Sequence, residues 1–331
     1  MILAGDIGGT NARLACFAFA DHHLTTVLEK EYPSREHASL EEIVSAFVQT
    51  HRVPIDRACF GIAGPVEEGR VVTPNLPWVV DQAKLANRLG LKDVALINDL
   101  EANTYGIAAL EPGDLEVLNA GSPDPAGSLA VISAGTGLGE AGTYWDGKMH
   151  RPVPCEGGHS DFAPRNALEI ELLEYLLKQY DHVSCERVLS GAGLVNAYNF
   201  LRDTGRGQEP AWLAEEMREG DPAAAISKAA LDGRSALAAQ ALDLFVTVYG
   251  AEAGNLALKF KATGGVFVGG GIAPKIVQKL KEPLFLQAFV DKGRMRPLLE
   301  AMPVKVILND RTALLGAARC ALLNRDKSLV L

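Results

Sequence analysis

One aspartate, Asp99, directly follows an apolar segment that ends in Asn98. Polar residues at the end of a buried strand are where open α/β sheets place their ligand chemistry. A carboxylate in that position can accept a proton from a substrate hydroxyl. Asn and Asp are also common helix caps, so a structural role competes with the chemical one. The pair therefore predicts either a general base with a ligand beside it or the start of a helix.

A second group of polar residues lies in the segment CEGGHSDFAP, which contains Glu156 and His159, and Glu186 follows in SCERVLSGAG. These short, directional hydrogen-bonding groups suit the hydroxyl groups of a sugar. A zinc site built from Cys155, His159 and Cys185 is the competing interpretation. Only one Cys–His spacing is close and no second pair follows, which disfavours zinc. A core or loop histidine is the structural alternative for His159.

Two glycine-threonine turns follow apolar strands. A strand-end turn that brings its backbone close to a ligand needs glycine, because a β-carbon blocks the approach. Successive N–H groups in such a turn bind anions, and threonine adds a hydroxyl donor. Neither turn is a P-loop or a Rossmann fingerprint. Together the two turns predict that one polyphosphate is bound from both sides. The residues are Gly5, Asp6, Ile7, Gly8, Gly9 and Thr10 in the first turn, and Gly135, Thr136 and Gly137 in the second.

A third glycine-rich segment, GGVFVGGGIAP, is a buried strand that ends in Gly269, Gly270 and Gly271. The sequence predicts a helix that has Pro274 near its N-terminus. Such a strand end can accept an adenine ring, or a phosphate at the helix start. Close packing of helix on strand is the alternative explanation for the glycines.

Composition narrows the class of protein. The chain has 331 residues and a formal net charge of −9, which disfavours binding to nucleic-acid backbones. Its 5 cysteines form no CxxC pair, as is typical of a reducing compartment. No secretory signal pattern opens the chain, and charged residues interrupt the longest apolar stretch, residues 237–260. We therefore expect a cytoplasmic protein that binds neither nucleic acid nor membranes.

The elements that position these residues occur in two similar halves. The first half begins with three strand-like segments, ILAGDI, ARLACFAF and LTTVLEKEY, and the pattern restarts near Ser128. Helices are predicted from Ser39, with a Ser39–Glu42 capping box, and through the last apolar segment, TALLGAARCALL. Alternating strands and helices in a repeated half predict an α/β fold of two lobes that share a cleft.

Six segments together resemble the bacterial glucokinases of the hexokinase–actin–Hsp70 superfamily, in order and spacing. The zinc-binding cysteine cluster of the related ROK proteins is absent after EGGH, so the resemblance is to the non-ROK type. It implies two ribonuclease-H-like (actin-like ATPase) lobes around a cleft, the small lobe being residues 1–109 and 312–331 and the large lobe 110–311. The segments are GDIGGTNARL, LINDLEA, SAGTGLGEA, EGGHSDFAP, ERVLSGAGLVN and GGVFVGGGIAP.

The same resemblance implies ATP-dependent phosphorylation of D-glucose to glucose 6-phosphate, as in glycolysis, with Asp99 as general base. Asn98, Asp99, Glu156, His159 and Glu186 are then the sugar ligands. The two threonine turns bind phosphate, and Gly269 to Gly271 lie on the adenosine side. Magnesium is carried by ATP and bridged by water to Asp6, and no residue binds it directly. The resemblance also implies a homodimer.

Three other functions stay open at this point. A kinase for mannose, fructose or an amino sugar would keep the same lobes and turns. An actin-like ATPase scaffold would keep the turns but would not need Glu156, His159 and Glu186. A sugar-sensing regulator without activity is disfavoured by Asp99. Sugar breadth, the phosphoryl donor, oligomeric state and allosteric control are not fixed by the sequence.

Overall fold

The structure, a computed structural model, describes residues 1–21, 23–73, 76–92 and 94–323, without the side chain of Pro154. The strands in these ranges are β1 (Ile2–Ile7), β2 (Asn11–Ala20), β3 (His23–Pro33), β4 (Arg57–Ile62), β5 (Arg70–Val72), β6 (Val79–Asp81), β7 (Ala95–Asn98), β8 (Leu115–Asn119), β9 (Leu129–Ala134), β10 (Leu138–Trp145), β11 (His150–Cys155), β12 (Gly265–Gly269) and β13 (Val304–Ile307). The helices are α1 (Leu40–His51), α2 (Gln82–Leu89), α3 (Asp99–Ile107), α4 (Ala167–Leu176), α5 (Gly191–Asp203), α6 (Ala211–Glu219), α7 (Pro222–Leu231), α8 (Ala236–Phe260), α9 (Val277–Leu280), α10 (Pro283–Val290), α11 (Arg296–Glu300) and α12 (Thr312–Leu323).

The contacts divide the chain into two compact units, Met1–Pro112 with Asn309–Leu331, and Gly113–Leu308. The lobe boundaries expected from the family resemblance, after residues 109 and 311, stay a prediction. Each unit is built around its own sheet and its own buried core.

The sheet of the first unit has the strand order β3-β2-β1-β4-β7. The first three strands are an antiparallel meander, and β4 and β7 run parallel to β1. Because side chains alternate along a strand, β1 contributes to two cores. Leu3 packs in the core that α1 and α2 complete, and Ala4 in the core that α3 and α12 complete. Helices therefore cover both faces of this sheet.

The second unit repeats this plan. Its sheet has the order β11-β10-β9-β12-β13-β8, with an antiparallel meander β9–β11 and with β12 and β13 parallel to β9. Helix α8 has 25 residues and is buried along most of its length, as its nearly uninterrupted apolar sequence predicts. The predicted repeat of an α/β half is thus present, and the ribonuclease-H-like plan occurs twice.

Two glycines bring α12 directly onto α3. A β-carbon on Gly316 would overlap the carbonyl oxygen of Ala102, and one on Gly106 would overlap the carbonyl oxygen of Thr312. Only glycine permits this separation of the two backbones. Helix α3 begins at Asp99, so this contact fixes the helix on which the candidate base lies.

Several local predictions need correction. The Ser39 side chain accepts the Glu42 N–H, but the Glu42 carboxylate accepts from the Ala38 N–H and not from that of Ser39, so the predicted capping box is incomplete. The helix predicted from Pro274 is a series of turns followed by the short α9. No helix of the described ranges is long and apolar enough to cross a membrane.

Candidate functional site

The first glycine-threonine turn is a closed bend between β1 and β2. The Gly8 N–H donates to the Asn11 carbonyl at 2.9 Å. Ser34 holds the turn from outside, since its hydroxyl donates to the Gly8 carbonyl at 2.8 Å and its N–H donates to the Thr10 carbonyl at 2.8 Å. Thr10 is exposed. Sequence analysis missed Ser34, which lies in a connection with no motif of its own and is fully buried.

Asp6 lies opposite Arg13 in the β1–β2 register. Burial raises the pKa of Asp6 to about 6, while Arg13 opposes that rise. Arg13 is shared with other carboxylates, and its guanidinium lies 3.1 Å from Asp310 and 3.6 Å from Glu31. Asp6 is thus a desolvated carboxylate beside the phosphate turn, where a cation would stabilise its charged form.

Asn98 and Asp99 lie at the start of α3, which is the structural role that the sequence predicted as the alternative to a chemical one. Asn98 caps α3, its Oδ1 accepting the Leu100 N–H at 2.8 Å, and its Nδ2 donates to the Gly64 carbonyl at 3.1 Å. The Asp99 Oδ1 also accepts the Leu100 N–H, at 2.9 Å. A cap role and a chemical role are compatible for Asp99, because a carboxylate has lone pairs beyond the one used here.

The register of the parallel strands brings these residues to one edge of the first sheet. Ile7 pairs with Ile62, and Ile62 pairs with Asn98. Adjacent strands are about 4.8 Å apart, so the end of β1 and the end of β7 are separated by about 10 Å. A β-carbon on Gly61 would approach Ala102 to 2.7 Å, so this glycine lets α3 lie close over β4. The first phosphate turn and Asp99 therefore lie at the same edge.

In the second unit the turn between β9 and β10 contacts the triple-glycine segment. The Gly135 N–H donates to the Gly137 carbonyl at 2.8 Å, which closes the turn. A β-carbon on Gly135 would lie 3.8 Å from the Gly271 nitrogen, and one on Gly270 would overlap the Ala134 carbonyl. Nothing lies within 4 Å of the β-carbon position of Gly271. The two glycine segments thus form one surface at the ends of β9 and β12.

Helix α5 also begins at this surface. The Gly191 N–H donates to the Gly135 carbonyl at 2.9 Å, and Ser190 caps the helix by accepting the Gly193 N–H at 3.0 Å. An α-helix N-terminus carries a partial positive charge. Ser190 before Gly191 is typical of a helix start, and this signal in the sequence could have predicted the beginning of α5 but not its contact with Gly135.

Glu186 lies directly against the second phosphate turn. Its Oε2 accepts the Leu138 N–H at 2.9 Å, and a β-carbon on Gly137 would overlap the same oxygen. Gly137 is therefore required to make room for this carboxylate. A predicted sugar ligand and a predicted phosphate turn are neighbours within one unit.

Glu156 precedes the 3-10 turn Gly157–His159 and His159 ends it, and this turn rests on the start of β10. Both are exposed, and a β-carbon on Gly158 would overlap the Leu138 carbonyl. The chain just beyond the turn pairs with the chain just before Glu186. The Cys185 N–H donates to the Ser160 carbonyl at 2.8 Å, and the Phe162 N–H donates to the Val183 carbonyl at 3.0 Å. The structure thus brings Glu156, His159 and Glu186 together around Leu138.

The zinc interpretation receives no support from the geometry. Within residues 1–21, 23–73, 76–92 and 94–323, no group of three or more His, Cys, Asp or Glu side chains is arranged to hold a metal ion. The Cys155 thiol instead donates a hydrogen bond to the Glu140 carbonyl at 3.3 Å, and the Cys185 thiol donates one to the Asp161 carbonyl at 3.5 Å.

Two sheets of ribonuclease-H-like order, each with a glycine-threonine turn at a strand end, together with the candidate sugar ligands, fit the class of hexokinase-type sugar kinases of the actin-like ATPase fold. The family model described as Glucokinase matches residues 3–324. The glucokinase of Nostoc punctiforme is 44% identical over 336 residues, which cover 97% of this chain and 98% of that protein.

Solved structures agree with this class. A glucokinase from an Antarctic psychrotroph matches with a TM-score of 0.86 at 32% identity, covering 97% of this chain and 98% of that one. A ROK family glucokinase from Streptomyces griseus, in complex with glucose and AMPPNP, matches with a TM-score of 0.68 at 22% identity over 97% and 99% of the two chains, which supports the fold. This chain belongs to the glucokinase family, as the sequence resemblance predicted.

Proposed function

We propose that this protein transfers the γ-phosphoryl group of ATP to the 6-hydroxyl of D-glucose, giving glucose 6-phosphate and ADP. The observation that carries the proposal is the placement of Glu186, whose carboxylate is fixed by the Leu138 N–H at 2.9 Å beside the Gly135–Gly137 turn. A sugar held by this carboxylate lies next to a turn suited to phosphate. The family relationship to glucokinases supports glucose as the sugar and ATP as the donor.

The sugar ligands have separate parts in this proposal. Glu156, His159 and Glu186 hydrogen-bond the sugar hydroxyls and fix the ring, and Asn98 is a further sugar ligand. Asp99 accepts the proton of the 6-hydroxyl as the bond to phosphorus forms. Phosphoryl transfer needs positioning and charge stabilisation more than covalent chemistry, so fixed ligands serve it well.

The nucleotide is held by backbone groups. The Gly5–Thr10 and Gly135–Gly137 segments bind the phosphates through the N–H groups that are not used within each turn and through the threonine hydroxyls. Gly269 to Gly271 lie on the adenosine side, where nothing lies within 4 Å of the β-carbon position of Gly271. When bound, the magnesium ion carried by ATP offsets charge on the transferred group. Asp6 fits a water-bridged contact to it, because its carboxylate is a hard oxygen ligand whose charge is otherwise destabilised by burial.

A panel of sugars crossed with a panel of nucleotides tests the proposal. ADP formation and sugar phosphate formation are both measured for glucose, mannose, fructose and glucosamine, each with ATP, ADP and polyphosphate. We expect the highest kcat/KM for glucose with ATP and magnesium. A higher value for another hexose would replace glucose as the substrate. ATP hydrolysis without any sugar, at a rate that glucose leaves unchanged, would favour the ATPase scaffold.

The expected assembly and compartment belong to the same proposal. We propose a cytoplasmic homodimer that binds neither nucleic acid nor membranes. The net charge of −9 supports the absence of nucleic-acid binding, because phosphate backbones repel such a surface. Light scattering after size-exclusion chromatography measures the mass, and a mass of about 35 kDa, that of one chain, would contradict the dimer.

A further inference from the structure

Strand β10 carries a buried carboxylate that the proposed mechanism does not use. Glu140 is 1% exposed, and within the described part of the chain neither of its carboxylate oxygens has a hydrogen-bond partner. Leaving a buried polar group unpaired is costly, so an unpaired carboxylate calls for a functional explanation.

Glu140 lies directly beneath the turn that carries Glu156 and His159. It pairs in register with Cys155, whose thiol donates to the Glu140 carbonyl at 3.3 Å. A β-carbon on Gly157 would overlap Glu140 Oε2 and would lie 3.2 Å from its β-carbon. The φ of Gly157 is not positive, so glycine is required there for space and not for backbone conformation. The carboxylate thus forms the floor of the turn.

Charged groups around Glu140 leave its charge largely uncompensated. Helix α8 presents Glu252, Lys259 and Tyr249 to it, β11 presents Cys155, and the turn before α5 presents Cys185. The Lys259 ammonium lies 3.3 Å from Glu252, so the nearest cation is already paired. Burial, with a contribution from Glu252, raises the pKa of Glu140 to about 7, while Lys259 opposes the rise.

We propose that Glu140 is a positioning residue of the sugar site, whose neutral carboxyl group supports the Glu156–His159 turn and whose ionisation weakens glucose binding. The inference rests on the proposed function. A neutral carboxyl group fits the dry space under Gly157. An ionised one requires water or Lys259 to move in, which displaces the turn. In the proposed function this turn binds the sugar and Asp99 takes the proton, so the effect is on KM rather than kcat.

The test compares glucose KM and kcat between pH 6 and pH 8.5 for the parent, Glu140→Gln and Glu174→Gln. Glutamine keeps the shape of the neutral form. Glu174 is an exposed carboxylate on α4 and serves as the matched control. Between pH 6 and pH 8.5 we expect the glucose KM of the parent and of the control to rise about threefold to tenfold more than that of Glu140→Gln. The three proteins should have equal kcat values. Any effect of pH that is common to all three proteins cancels in the comparison.

Superimposable KM curves for the parent and Glu140→Gln would overturn this inference and leave the proposed function intact. A parent that phosphorylates no sugar would overturn the proposed function instead. If Glu140→Gln does not fold, Gly157→Ala and the double variant Glu140→Ala/Gly157→Ala provide the test. We expect Gly157→Ala to raise glucose KM at least about tenfold, and the double variant to recover part of it because room is restored. No recovery would contradict the contact.

Discussion

At the scale of single residues, the candidate sugar ligands Glu156, His159 and Glu186 are positioned by contacts with Leu138. The Leu138 N–H donates to Glu186, and the Leu138 carbonyl lies so close to residue 158 that only glycine fits there. The residue types of this cluster were predictable from sequence, because Glu, His and Glu beside glycines are typical of a hydroxyl-binding site. Leu138 and Ser34 were not, since a backbone amide or a buried serine has no signature outside its fold. The position of Glu140 beneath Gly157 was equally hidden.

Replacing Glu156 by alanine should weaken glucose binding without destabilising the protein. Glu156 is exposed, and its side chain makes no capping bond to the turn that follows it. Loss of a hydrogen bond to a charged group costs roughly 1.5–3 kcal/mol, which corresponds to about tenfold to hundredfold in glucose KM. Steady-state kinetics and a thermal melt measure both effects, with Glu174→Gln as control. An unchanged KM would show that Glu156 does not contact the sugar.

The pKa of Glu140 predicts a pH-dependent stability. Its folded-state pKa, about 7, lies above its ordinary value of 4.5, so the folded protein binds this proton more tightly than the unfolded chain. Stability is therefore lost as pH rises from 4.5 through 7. Glu140→Gln escapes this loss, and between about pH 5.5 and pH 8 its free energy of unfolding should gain about 2 kcal/mol relative to the parent. Urea unfolding at both pH values measures it. Parallel losses in the two proteins would contradict the assignment.

At the scale of elements, the sequence predicted those helices and strands whose residues show a clear local pattern. Helix α12 has the bounds that its apolar segment predicted, and β1 to β3 form the expected meander. Short strands were missed. β8 pairs with β13, which is far away in the sequence, and β5 and β6 are strands of three residues that pair only with each other. The helix predicted from Pro274 was wrong, since proline is compatible with a first helical turn but does not ensure one.

The contact of α3 with α12 should tolerate no β-carbon at Gly316. A methyl group there would overlap the Ala102 carbonyl, and overpacking of this kind costs typically about 1–3 kcal/mol. Gly316→Ala should therefore lower Tm by roughly 3–10 °C. Gly113→Ala is the matched control, because no atom lies within 4 Å of its β-carbon position. Calorimetry measures the Tm of both variants. Equal Tm values would show that α3 and α12 can move apart without a loss in the free energy of unfolding.

At the scale of the whole molecule, two copies of one sheet plan carry different parts of the chemistry. The first unit contains Asp99 and one glycine-threonine turn, and the second contains Glu156, His159, Glu186 and the other turn. The internal repeat was visible in the sequence because both halves begin with hairpin strands and continue with alternating strands and helices. The lobe boundaries stay a prediction, since no composition change marks them.

Glucose should stabilise the folded protein in proportion to its binding. At a concentration of about 100 times Kd, a ligand adds about 2.7 kcal/mol to the free energy of unfolding. For units of this size we expect a Tm increase of roughly 5–10 °C. Glu156→Ala should lose most of the shift at the same glucose concentration. Sorbitol at equal concentration is the control, and an equal shift with sorbitol would mean that the effect is not specific binding.

In the proposed mechanism Asp99 takes the proton of the sugar hydroxyl. Asp99→Asn keeps an oxygen that can accept the Leu100 N–H, so the start of α3 is preserved. We predict that kcat for glucose phosphorylation falls at least about a hundredfold, while the Kd of glucose measured by calorimetry changes much less. A variant with near-parent kcat and parent-like glucose affinity would contradict the account.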